Sequence, residues 1–226
     1  FTVMATGGFS TQNASIGAFA NSRVEWTIIV FMLIGTVNFG LYFLALRGHG
    51  WRVFWKSTEF RWFVYIVTAA TLVTSISILP QHQYNFIESF RGALFSVVTV
   101  VSTTGYDADN HMLYGPTILA LLLLLIFIGG SSGSTSGGLK LSRIIILSRF
   151  AWSQVRQSIR PTIIQTVRLD HRALTDDVLK EVSNLFFLTL ALLGLFTIGI
   201  SALEDVPIAT AFGAAFTSLL NHGSAP

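Results

Sequence analysis

The chain has 226 residues, with 14 Lys and Arg against 11 Asp and Glu (formal net charge +3), only 11% charged residues and a mean hydropathy of +0.64. Soluble domains carry about 25% charged residues, so the composition excludes an ordinary soluble enzyme and points to an integral membrane protein. The absence of Cys excludes disulfides and thiolate metal sites within this chain, and the scattered His49, His82, His111, His171 and His222 form neither an HExxH motif nor an i,i+4 metal pair.

Residues 1–20 are polar and Gly-rich, unlike a signal peptide, which needs a basic patch followed by an apolar core. They include "VMATGGFST" at 3–11, an apolar lead-in that passes through small residues to glycine. A first span is predicted over 26–46, close to the ~20 apolar residues a bilayer requires. Asn38 within it suits a pore-facing polar group or an interhelical hydrogen bond. Arg47, Arg52, Lys56 and Arg61 follow, accompanied by Trp51, Trp55 and Trp62 as interfacial anchors. A second span is predicted over 62–80. Residues 86–101, "FIESFRGALFSVVTVV", read as a helix too short to cross, with Phe86, Phe90, Leu94, Val97, Val98 and Val101 near one face, ending at Ser102-Thr103-Thr104-Gly105.

An interrupted span covers 113–150. Its first part, 113–128, rises only about 24 Å at ~1.5 Å per residue, short of the ~30 Å hydrocarbon core. The chain therefore reaches "GGSSGSTSGG" at 129–138 before it has crossed. Lys140, Arg143, Arg149, Arg156, Arg160, Arg168 and Arg172 come next, then Thr175 as an N-cap with Asp176 and Asp177 suited to a helix N-terminus. A last span is predicted over 184–203. A second short helix over 206–220, with Pro207 near its start, leads into Asn221-His222-Gly223. The chain opens without Met in a polar loop and stops just after "NHGSAP", and the expectation is an internal piece of a longer protein.

Orientation follows from the cations. The basic segments 47–61 and 139–172 should be cytoplasmic, while the opposite loops carry Glu88, Asp107, Asp109, Glu204 and Asp205 against Arg23 and Arg91. The positive charge is thus a topology signal, and no nucleic-acid partner is expected. Asp107 and Asp109 suit either a solvated loop or an acidic mouth that concentrates cations.

Taking Gly7, Gly105 and Gly223 as equivalent, a unit of helix, short re-entrant helix, glycine loop and helix recurs, which suits membrane repeats. The chain then divides into 1–58, 59–172 and 173–226. Non-helical backbone at membrane depth survives only if buried in protein or lining a wet cavity, so three such loops imply one shared cavity. Carbonyls turned inward by a glycine-permitted backbone can replace the water of a permeant cation, helped by the partly negative helix C-termini. Phe9 and Tyr106 can wedge the loops from behind, one residue apart in register because the first loop has Gly7-Gly8.

The Gly/Ser run has other readings. Gly133-x-x-x-x-Gly138 begins like a phosphate loop, but Lys140 comes one place late, no Ser/Thr follows it and no strand precedes it. A helix kink needs one or two glycines rather than ten small residues. A carrier with a discontinuous helix at its substrate site remains the alternative.

"VVSTTGYDAD" after a short helix, "ATGGFS" before it and "GGSSGSTSGGLK" inside a helix together resemble the Trk/Ktr/HKT superfamily of potassium transporters, and within it the bacterial Trk-type membrane subunit. "RPTIIQTVRLDHRALTDDVLKEV" is similar to the cytoplasmic connector of that subgroup. The resemblance implies an all-α integral membrane fold of four helix–pore loop–helix units around one pseudo-fourfold pore, of which this piece would hold the second filter loop onward. It implies potassium uptake across the bacterial plasma (inner) membrane, not an enzymatic activity. The filter would comprise Ala5, Thr6, Gly7 and Gly8, then Thr103, Thr104, Gly105 and Tyr106, then Asn221, His222 and Gly223. The gate would be Gly129, Gly130, Ser131, Ser132, Gly133, Ser134, Thr135, Ser136, Gly137 and Gly138, with Lys140 at its inner end. No covalently bound cofactor is implied; K+ is the permeant ion, held by filter carbonyls only. The implied partners are membrane lipid, a second copy in a homodimer and a cytosolic nucleotide-binding regulatory subunit docked on the basic face. The chain departs from the family's Asn-x-Gly-Pro-Gly fourth loop after Gly223, where Ser224-Ala225-Pro226 follow.

Overall fold

Several helices begin where a side chain accepts from their first N–H groups. In the computed structural model, which describes all residues except 13–14, 20, 81–82, 109–113, 160–166, 171 and 224–226, Asn21 accepts the Arg23 N–H at 3.0 Å and opens α1 (Ser22–Thr36). Asn38 accepts the Gly40 N–H at 2.7 Å and opens α2 (Phe39–Leu44), which runs on as a π-helical turn, Ala45–His49. The short α3 (Arg52–Lys56) precedes α4 (Thr58–Ile78), whose cap Ser57 accepts from Phe60 N–H. Asn85 caps α5 (Phe86–Val101), and Pro116 begins α6 (Pro116–Ile128), where its missing N–H costs nothing. Then come α7 (Leu141–Ile159), a minimal antiparallel hairpin of β1 (Arg168–Leu169) and β2 (Arg172–Ala173), α8 (Asp176–Glu204) and α9 (Ile208–Leu219). Thr175 stands at the N-cap of α8 without a side-chain bond to it.

Among the described residues, α4 and α8 are long and apolar enough to cross a bilayer unaided. The expected first span over 26–46 is broken rather than continuous: α1 and α2 are apolar enough to cross only when taken together, and they meet at 87°. At the bend Asn38 turns its side-chain oxygen onto the N–H of Gly40. α5 and α9, at 16 and 12 residues, are too short to span, as predicted.

α5 lies at the centre, packed along α4 and also touching α1 and α6, while α8 packs along α9. The lower half of α5 is buried all round, with Phe95, Val97, Val98, Val100 and Val101 in the core beside Ile29, Met32, Leu125 and Ile126. The upper half departs from the predicted face. Phe86 points outward, and the buried stripe is Ser89, Gly92, Ala93 and Ser96, small residues that let α4 approach with its own Thr71, Thr74 and Ser75. Arg91 pairs with Glu25 at 2.7 Å and bonds Ser22 at 3.0 Å, fixing α5 to the start of α1. α8 leaves Phe187, Leu195 and Ile198 exposed, a face suited to hydrocarbon. The two basic segments meet at one end of the bundle, where Asp170 Oδ1 accepts the Thr58 N–H at 2.7 Å.

Candidate ion-pathway site

Three loops close with the same hydrogen bonds. Thr6 N–H donates to Val3 O at 3.1 Å and Gly7 N–H to Thr2 O at 3.0 Å; Thr103 to Val100 and Thr104 to Thr99, both at 3.0 Å; Asn221 to Ser218 at 3.3 Å and His222 to Thr217 at 2.8 Å. This pairing of an i→i−3 with an i→i−5 bond is the Schellman closure of a helix C-terminus, and it leaves its first donor left-handed. Thr6, Thr103 and Asn221 have φ of 51°, 57° and 56°. Two of the three are β-branched, a residue type that avoids this region unless its surroundings impose it.

The shared pattern corrects the alignment of the repeat. Thr6, Thr103 and Asn221 are equivalent, so the glycine matching Gly105 and Gly223 is Gly8 rather than Gly7. Gly8 and Gly105 have φ of 67° and 77°. Phe9 then matches Tyr106 without any offset. The adjacent pair Gly7-Gly8 offered two alignments, and only the hydrogen bonds choose between them.

The loops converge on one carbonyl. A Cβ added to Gly8 would lie 2.0 Å from Thr104 O, and one added to Gly223 would lie 2.4 Å from the same atom. No side chain fits at either place. Tyr106 is buried behind the second loop; its N–H donates to Thr99 Oγ1 at 2.7 Å, and its hydroxyl bonds Thr2 Oγ1 and, at 3.2 Å, Phe9 O. It thereby ties the second loop to the first. Phe9, expected to wedge its loop in the same way, is 78% exposed and does not. The carbonyl of Ala5 lies 2.8 Å from the Thr6 hydroxyl and shares its single proton with Thr135 O. Asp107 uses its carbonyl to hold Ile16 N–H and Gly17 N–H, each at 3.0 Å. Asp109 lies outside the described residues.

The Gly/Ser segment is bonded to all three loops. α6 ends at Gly129 (φ 68°), whose N–H still reaches Leu125 O at 2.9 Å. Thr135 donates its hydroxyl to Met4 O at 2.9 Å and accepts at its carbonyl from Thr6 Oγ1 at 2.8 Å. Gly137 N–H donates to Thr103 Oγ1 at 2.6 Å, and Gly138 N–H to Leu220 O at 3.0 Å. The segment also pairs with the break between α1 and α2: Ser131 N–H to Thr36 O at 3.1 Å, Thr135 N–H to Gly35 O at 3.2 Å, and Phe39 N–H to Gly133 O at 3.0 Å. Helix α1 thus stops where its last carbonyls are claimed by the segment. Packing is tight, since a Cβ on Gly137 would fall 2.2 Å from Leu220 O and one on Gly130 2.4 Å from Thr36 Cγ2. In this conformation Ser131 and Ser136 are buried and the backbone of the segment is hydrogen-bonded on both sides.

Lys140, left-handed at φ 75°, folds back so that its Nζ bonds Ser136 O and lies 3.5 Å from Ser134 O and from Ser136 Oγ. A cation therefore already occupies the acceptors of the segment's second half. Glu59 went unread in the sequence. It is 7% exposed, and its Oε1 accepts Ser132 N–H at 2.7 Å and Ser142 N–H at 3.2 Å. An acidic residue inside an otherwise basic stretch was the available signal.

The family model described as cation transport protein TrkH matches residues 1–223. The chain is 30% identical over 225 residues to "Trk system potassium uptake protein TrkH" of Halomonas elongata, covering 100% of this chain and 46% of that protein. It is 33% identical over 187 residues to the protein of the same name from Escherichia coli, covering 82% and 39%. The crystal structure of the potassium transporter TrkH from Vibrio parahaemolyticus superposes with a TM-score of 0.90 at 30% identity, covering 98% of this chain and 48% of that one. The chain spans less than half the length of these relatives.

Proposed function

Because the chain belongs to the TrkH family of cation transport proteins, we propose that it forms part of a potassium uptake pathway of the bacterial inner membrane, with the three closed loops as the ion filter and 129–138 as its gate. The observation that carries this reading is the threefold recurrence of one Schellman closure around the Thr104 carbonyl. Each closure directs backbone oxygens toward the same place, and at two of them the partly negative ends of α5 and α9 add to this, which favours a partly dehydrated cation. Ala5 to Gly8, Thr103 to Tyr106 and Asn221 to Gly223 supply those carbonyls, and no covalent cofactor is needed. The Gly/Ser segment, bonded to all three loops, lies across the inner approach and would have to let go for an ion to pass.

The role is transport, not catalysis. Lipid would cover α8. The resemblance to the Trk-type subunit adds a homodimer and a cytosolic nucleotide-binding regulator, and the meeting of the two basic segments at one end of the bundle supports a single cytoplasmic face for it. Coupled transport of K+ with H+ or Na+ is the second reading. It is favoured by the pairing of two discontinuous helices, α1–α2 and α6–α7, across the segment, a geometry that carriers use at substrate sites.

The deciding experiment is rubidium uptake into liposomes holding the complete parent protein, with potassium or sodium as competitor and a set membrane potential. Uptake blocked by potassium, insensitive to sodium and driven by the potential alone supports the filter pore. A requirement for a proton or sodium gradient selects the coupled carrier, and equal competition by both ions refutes the filter.

A further inference from the structure

Glu59 and its neighbour Thr58 contact two different parts of the molecule from one helical turn. A carboxylate as buried as that of Glu59 is tolerated only where donors replace its water, and here both donors are backbone N–H groups. Ser132 lies inside the Gly/Ser segment, and Ser142 lies in the first turn of α7, ten residues on; their hydroxyls also bond each other. One oxygen thus closes the segment into a ring. Thr58, the first residue of α4, donates its N–H to Asp170 Oδ1 at 2.7 Å, from the turn of the β1–β2 hairpin. That bond satisfies one of the orphan donors at the start of α4.

The hairpin does not hang free from this contact. Val167 is buried with Ile146 of α7 and with Leu179 and Val182 of α8, Leu169 packs against the same cluster, and the Arg149 guanidinium bonds Arg168 O. Moving the hairpin therefore pulls on the turn that carries Glu59 and on the helix that carries Ser142, both ends of the grip on the segment.

We propose that Glu59 and Asp170 are positioning residues that couple the cytoplasmic hairpin to the Gly/Ser segment, so that the position of the hairpin sets how firmly the segment is held. The consequence for flux rests on reading the segment as the gate; the linkage itself does not.

The test is amide hydrogen exchange on the complete parent protein in nanodiscs, with rubidium uptake measured on the same variants. Asp170→Ala removes the acceptor for Thr58, and Asp170→Asn retains it. In Asp170→Ala, amides at 131–142 are expected to exchange about tenfold faster, the scale of one lost hydrogen bond to a charged group, while those of α8 keep their rate. Asp170→Asn is expected to restore the original rate. Glu59→Gln, which keeps one acceptor oxygen but loses the charge, is expected to accelerate the same amides. Unchanged exchange at 131–142 in Asp170→Ala overturns the proposal, as does uniform acceleration through the bundle, which would mark a general structural loss, or failure of Asn to rescue. Accelerated exchange at 131–142 supports the linkage whatever the flux does; if uptake then stays at the parent level, the gate assignment fails rather than the linkage.

Discussion

Adding one methyl group to each of the two adjacent glycines of the first loop separates the alignment set by hydrogen bonds from the one suggested by sequence. At Gly8 the backbone is left-handed, φ 67°, and the new Cβ would lie 2.0 Å from Thr104 O, a backbone atom that cannot step aside without moving the second loop. The left-handed conformation costs an L-residue about 1–2 kcal/mol, and overpacking adds about 1–3 kcal/mol. Together these come to about 2–5 kcal/mol, or more than tenfold in any equilibrium that includes the native loop. At Gly7 the Cβ is crowded by the ring of Phe9 at 3.2 and 3.3 Å and touches Thr2 O at an ordinary 3.9 Å, and that ring is largely exposed and can move. Gly8→Ala should therefore lower rubidium uptake, or its preference for potassium over sodium, by more than tenfold, while Gly7→Ala stays within about twofold, as for a contact relieved by one rotamer change. Uptake assays on the complete protein in liposomes, at matched incorporation, decide the matter. Equal damage from both substitutions, or greater damage from Gly7→Ala, would refute the alignment and the convergence of the loops on Thr104.

Four further outcomes follow from the same contacts. Gly105→Ser forces a side chain onto a φ of 77° and should weaken discrimination against sodium; unchanged selectivity in the competition assay counts against the filter assignment. Deleting residues 131–136 removes the bonds to Met4, Gly35, Thr36 and Glu59 and should raise uptake, whereas a fall at normal expression would give the segment a structural role. Thr103→Ala deprives Gly137 N–H of its acceptor and should raise uptake, while Thr103→Ser keeps the hydroxyl and should not; equal behaviour of the two removes this bond from the gate. Tyr106→Phe leaves the carbonyl of Phe9 and the hydroxyl of Thr2 without their phenolic partner, so thermal unfolding should show a loss of about 1–3 kcal/mol, and an unshifted unfolding curve would deny the tie between the loops.

What the sequence determined by itself is what depends on local composition and length. Apolar content set the membrane class. The apolar run 86–101 and the Ser-Thr-Thr-Gly end bounded α5 to the residue, and the ten small residues at 129–138 announced a helix that stops short of crossing. These are properties that a stretch of chain carries with it. The tertiary structure decided whatever depends on a partner far along the chain. Asn38 reads equally well as a pore-lining group or a helix–helix contact until Gly133 is seen beside it, claiming the N–H of Phe39 while Gly35 and Thr36 give up their carbonyls to the segment. Gly7 and Gly8 are indistinguishable in a string of letters, and become distinct only through the loop hydrogen bonds, with Thr104 O filling the space beside the matched one, Gly8. Glu59 carries no motif; its importance comes from burial next to Ser132 and Ser142, more than seventy residues away. Backbone polar groups at membrane depth must find partners, and no local pattern states which distant groups those will be.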